Sequence, residues 1–208
     1  MATYPKKGRV EMASEGRRAD RLEEIHELNR LFLAYAQACA RQGRPCMGLP
    51  QRAARRLVDA QPATLERLAE LPAALFRLDL ERAHGTRDRA APERNMDRMR
   101  LSLALTILNS AWHMARERGF EARMFLRLSK TTLRRLRATP LSSIPDLAYA
   151  PDLLSCAFAE CQLTWPALFR RDEPEAARML TLIALQPNAA LVDSAAHRPA
   201  RASLRSYR

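Results

Sequence analysis

An all-α fold is what this 208-residue sequence predicts, and three observations carry the prediction. Glycine is scarce, at six residues, while Ala, Leu and Arg abound, a composition of strong helix formers. Apolar residues recur at three- and four-residue steps over two long stretches, Leu22 to Ala36 and Met96 to Ala115. Between and after them, short apolar-periodic segments are bounded by prolines, which suit a first helical turn and end the helix before them.

Residues 1–19 are polar and of mixed charge without periodicity, and read as a flexible basic tail. Asp20, with Glu23 three residues on, has the pattern of a capping box and predicts the start of the first long helix. Its apolar stripe runs through Ile25, Leu28, Leu31, Phe32 and Tyr35, and Gly43 and Pro45 end it. Pro50 opens a short helix that stops before Pro62; a second, with Leu65, Leu68 and Leu71, stops before Pro72. Over residues 73–80 the period fits helix or strand equally, because Leu75, Arg77 and Asp79 alternate with Phe76, Leu78 and Leu80. Residues 84–93 form a polar linker, and a second long helix is expected from Pro92 to Arg118 with Gly119 as its C-cap. A C-terminal helix follows within 162–186, interrupted at Pro174, and 187–208 reads as a disordered basic tail.

The stretch 48–72 returns at 127–151. At an offset of 79, Leu49 falls on Leu128, Arg55-Arg56-Leu57 on Arg134-Arg135-Leu136, Leu65 on Ile144, Leu68-Ala69 on Leu147-Ala148, Pro72 on Pro151 and Leu75 on Leu154. The pair Leu28-Asn29 meets Leu108-Asn109 at an offset of 80. Any two helical segments share a few leucines, but not also the prolines, the Arg-Arg-Leu and ungapped spacing. The sequence therefore predicts two tandem repeats, 20–83 and 94–161, each a long amphipathic helix and two short Pro-bounded helices.

The net charge of +12 and pI near 10.6 point to an anionic partner, nucleic acid first. Beside that stands a plainer reading: only Lys6, Lys7 and Lys130 are lysines, and such an Arg skew can reflect coding bias. Two clusters would carry nucleic-acid contact: Arg52, Arg55 and Arg56 in the first repeat, and Arg127, Lys130, Arg134 and Arg137 on one helical face in the second. The paired short helices could form a helix-turn-helix, although no Asn or Gln stands on its reading face. Cys39, Cys46, Cys156 and Cys161 lack zinc-ligand spacing and read as buried free thiols. With four scattered histidines, no phosphate loop and no nucleophile elbow, neither catalytic chemistry, a metal nor a cofactor is expected. No apolar run reaches the roughly 20 residues of a membrane span, and the N-terminus lacks a signal's apolar region, so a cytoplasmic protein is expected.

From Ile25 to Leu80 the chain resembles FlhD, a subunit of the bacterial activator of flagellar genes. The resemblance rests on Leu28-Asn29, Ala36-Gln37, Gly48-Leu49, Ala53-Ala54, Leu57, the Leu-x-x-Leu-Ala-Glu at 65–70 and Phe76-Arg77-Leu78, in that order. It implies an all-helical subunit that dimerises, joins a zinc-carrying FlhC-like partner, and with it binds promoter DNA. Family members carry one such unit; two here imply an intramolecular pseudo-dimer, or else a homodimer of the whole chain. Where some members place a chain-bridging cysteine this sequence has Phe76, with Cys156 near the corresponding place in the second repeat. The other reading is a non-DNA-binding adaptor or anti-activator that sequesters a regulatory partner.

Overall fold

The computed structural model describes residues 7–87, 97–159 and 164–169. Helix α1 runs from Lys7 to Arg41, passing through Asp20 without a break. The tail expected over 1–19 is therefore helical from Lys7, and the helix does not start at Asp20. No proline stands between Lys7 and Arg41, and Glu, Met, Ala and Arg at 11–19 are good helix formers, so the turn propagates backward from the packed part.

Helix α1 ends at a glycine with left-handed backbone, Gly43, φ +65°. Helices α2 (Gln51–Val58) and α3 (Pro62–Ala69) follow, with Pro50 at the N-cap of α2 and Pro62 at the first turn of α3. The ambiguous stretch 73–80 resolves into strand β1, Phe76–Leu78, and the start of α4, Leu80–Arg87. Helix α4 takes the first residues of the expected linker. The expectations for 88–93 and for a helix start at Pro92 fall outside the described residues. Helix α5, Arg98–Glu117, begins with Asp97 as N-cap, whose Oδ1 accepts from the Met99 amide at 3.0 Å.

Gly119 does not cap α5; Arg118 does, and Gly119 opens a further helix, α6 (Gly119–Phe125). The Arg137 guanidinium lies where a Cβ on Gly119 would stand, so a larger residue there would have to displace that side chain. Helix α7 (Lys130–Ala138) is capped by Ser129, whose Oγ accepts from the Thr132 amide at 2.9 Å. A 3-10 turn at Leu141–Ser143, helix α8 (Ile144–Ala148), strand β2 (Leu154–Cys156) and helix α9 (Thr164–Leu168) complete the order. Of the C-terminal helix expected over 162–186, α9 is the described part; Pro174, Cys161, residues 1–6 and the C-terminal tail lie outside the described residues.

The structure is mostly helical, with one two-stranded antiparallel sheet pairing Phe76 with Cys156, Arg77 with Ser155 and Leu78 with Leu154. Cys156 thus stands across the sheet from Phe76. Hydrogen bonds extend the pairing evenly at both ends: Asp79 N–H to Leu153 C=O at 2.9 Å, and Ala157 N–H to Leu75 C=O at 2.8 Å.

Beneath this sheet α1 packs on α5. Their buried faces coincide at an offset of 79: Ile25, Leu28, Asn29, Phe32, Tyr35 and Ala36 against Ala104, Ile107, Leu108, Ala111, Met114 and Ala115. Matching Leu28-Asn29 to Leu108-Asn109 at 80 is therefore displaced by one residue. Asn29 is buried at the position that Leu108 fills, whereas Asn109 faces solvent. In the strands the correspondence tightens to 78, since Leu153 rather than Leu154 takes the place of Leu75.

After its strand, each half sends a helix to the other: α4 packs on α7 and α8, and α9 on α2. Trp165 of α9 is fully buried and donates its indole N–H to Ala157 C=O at 2.9 Å. Among the described residues no helix is long and apolar enough to cross a membrane.

Candidate nucleic-acid interface

The seven cations expected to meet nucleic acid have three different fates. Arg52, Arg55 and Arg56 lie on α2, whose Ala53 and Leu57 turn inward, so all three are exposed. On α7, Thr132, Leu133 and Leu136 turn inward and leave Lys130, Arg134 and Arg137 outward. Arg127 is not on that helix. It occupies the turn before α7 with a left-handed backbone, φ +54°, and its guanidinium lies over the Phe158 ring at 4.4 Å. Burial, and behind it the charge of Arg77, lowers its pKa from the ordinary arginine value. The helical spacing that joined Arg127 to Lys130 fails because the helix starts three residues later.

Two of the exposed cations close backbone inside the chain. Arg56 donates through Nη1 to Pro166 C=O at 3.2 Å, tying α2 to α9. Arg137 donates through Nε to Ala115 C=O at 2.6 Å, satisfying a carbonyl in the last turn of α5. Arg52, Arg55, Lys130 and Arg134 remain, with no carboxylate within ion-pair distance among the described residues. They occupy two separate packing units, α2 against α1 and α9, α7 against α5, α6 and α4.

The second helix of each pair carries acid on its outward face. Helix α3 presents Glu66 and Glu70 to solvent, and α8 presents Pro145 and Asp146. Acidic groups on the would-be reading helix repel phosphate. Glu66 is also engaged: it accepts from Arg30 at 2.7 Å, and Arg30 reaches Glu23 at 2.9 Å and Glu27 at 3.3 Å as well. The Glu66 hydrogen bond and then that of Glu23 hold the Arg30 pKa above the usual range, and Arg30 holds Glu66 below the usual carboxylate value.

One grouping had no signal in the spacing. Cys39, Cys46 and Cys156, from α1, the following loop and β2, are buried and free. Burial, then the neighbouring Cys39 sulfur, pushes the Cys46 thiol up to about 12; burial and then Cys46 raise that of Cys156. Tyr35, also buried, is raised by burial and by its hydrogen bond to Cys39. Cys46 and Cys156 are therefore protonated, unreactive thiols at neutral pH. Among the described residues no three His, Cys, Asp or Glu side chains are grouped to hold a metal ion. Compared with known proteins, the chain matches no family model, no curated protein and no solved structure.

Proposed function

We propose that this chain is an FlhD-like transcriptional regulator subunit, two repeats fused as a pseudo-dimer, working in the cytoplasm by assembly with an FlhC-like or other transcription protein. Within that assembly Arg52, Arg55, Lys130 and Arg134 meet the phosphate backbone of promoter DNA. The observation that carries the reading is that each of the matched helices α2 and α7 keeps two outward cations without a carboxylate partner among the described residues. The duplicate reading is supported by the coincident burial of α1 and α5, and by the left-handed residues Gly48 and Arg127, 79 positions apart at equivalent turns. The even strand pairing about Arg77 and Ser155 supports it too.

Phosphate contact without base readout implies affinity that depends on salt and little on sequence. The test is anisotropy of a labelled promoter-length duplex titrated with the whole chain at graded salt. Changing Arg52, Arg55, Lys130 and Arg134 to Gln should reduce the log–log salt slope by about 3 to 4. A wild-type chain that leaves the duplex free at low salt rejects the contact. The second reading, a non-DNA-binding adaptor or anti-activator, would then gain, and the acidic outward faces of α3 and α8 already favour it in part.

A further inference from the structure

Helix α5 carries a solvent-facing stripe of unusual chemistry. Between Arg100 and Arg116 it has no Asp, Glu, Lys or Arg, in a chain where 28% of residues are charged. Its outward residues there are Ser102, Thr106, Asn109 and His113, with Met99 at one end. Alongside run the 3-10 turn and α8, packed on α5, with Leu141, Pro145 and Tyr149 exposed. Arg100 ties one end of this face together through Ala150 and Pro151 carbonyls, and Trp112 ties the other through Thr139 C=O. Met99, Leu141 and Tyr149 are 52, 54 and 45% exposed, large values for apolar side chains.

The corresponding face of the first half is closed. Seventy-nine residues earlier, Ser102, Thr106 and Asn109 become Glu23, Glu27 and Arg30, while Pro145 and Tyr149 become Glu66 and Glu70. Arg30 binds Glu23, Glu27 and Glu66 there. One fold position is thus a hydrated ion-pair surface in one half and, with Asp146 of α8 as its carboxylate, a largely polar and partly apolar surface in the other.

We infer that the α5–α8 face is a homodimer interface, occupied by a second copy of this chain across a two-fold axis. A two-fold contact must be self-complementary. Laid antiparallel on itself about its midpoint, α5 sets Thr106 of one copy against Asn109 of the other and Ser102 against His113, all able to hydrogen-bond. The same register brings exposed Arg98 to exposed Glu117 at both rims, opposite charges at the two ends. The stripe from Met99 to His113 is about 21 Å long at 1.5 Å per residue, enough for a helix–helix contact flanked by Leu141 and Tyr149. For a chain of net charge +12, a face poor in Lys and Arg is also where two copies approach with least repulsion.

Sedimentation equilibrium of the full chain at about 150 mM salt, where surface charge is screened beyond about 8 Å, should show a dimer. Asn109→Glu, which brings like charges to the axis, should weaken it at least about tenfold with an unchanged circular dichroism spectrum. Arg98→Glu should weaken it as well, and Arg98→Glu with Glu117→Arg should restore it. A chain that stays monomeric up to about 100 µM, too weak for a specific dimer, overturns the inference. So does a dimer that Asn109→Glu leaves intact, which would be built on another surface.

Discussion

The two halves hold the same turn by opposite means. In the first, the passage from α3 into β1 is fixed from within by Asn29, fully buried on α1. Its Nδ2 donates to the carbonyls of Ala69 and Ala73 at 3.1 Å and of Leu71 at 3.3 Å, and its Oδ1 accepts from the Leu75 amide at 2.9 Å. In the second half the equivalent position is apolar Leu108, and the passage from α8 into β2 is held from the rim. Arg100, near the start of α5, donates to Ala150 C=O at 2.8 Å and Pro151 C=O at 2.6 Å. A buried amide must satisfy both ends, and any group it releases stays away from water; a rim guanidinium keeps water as an alternative partner. The first turn is therefore specified tightly, and the second tolerates adjustment.

The largest effect expected follows from copying one half into the other. Asn29→Leu leaves three carbonyls and one amide without their partner and should cost about 3–5 kcal/mol in chemical denaturation. A loss below about 1 kcal/mol would break the comparison.

Next in size is the response to alkali where the halves meet. Cys46 of the first half and Cys156 of the second have thiol pKa values raised above the 9.0 of an exposed thiol, chiefly by burial. A folded pKa raised above the unfolded one means the native state holds the proton longer. Their contribution is complete below about pH 9 and is lost as pH rises toward the folded values, the 12 of Cys46 among them. Stability should fall by on the order of 2–4 kcal/mol over that window, and Cys46→Ala should flatten the melting-temperature profile. A flat wild-type profile would show that the thiols reach water.

Arg100→Met should cost less, about 1–2 kcal/mol, and native-state hydrogen exchange should localise it to 150–154. The smallest change contrasts the two left-handed turns, Gly48 at φ +76° and Arg127 at φ +54°. Gly48→Ala should lose about 1 kcal/mol from backbone strain. Arg127→Gly relieves that strain but gives up the Phe158 stacking, so its melting temperature should hardly move. Equal losses at both sites would erase this distinction.

What the sequence disclosed depended on the range of the force involved. Helices α2 and α3 were legible because proline acts locally, and the inward stripes of α1 and α5 because burial imposes a period. Strand β1 was not, since three residues carry too little period and its partner lies 78 positions away. The one-residue error at Asn29 came from matching letters: identity favoured Asn109, whereas the interior puts Leu108 in that place. Among the candidate site residues, Arg52, Arg55, Lys130 and Arg134 were readable as outward helix positions. The inward work of Arg56, Arg127 and Arg137 was not, because each meets backbone or a ring supplied by a distant segment.

The exchange of segments after each strand bears on how the chain comes apart. Arg56 and Arg67 of the first half hold Pro166 and Leu168 beyond β2, while Glu81 beyond β1 reaches Arg135 of the second half. Neither half can melt without uncovering a segment that completes the other. The two halves are therefore expected to behave as a single cooperative unit with one melting transition in calorimetry.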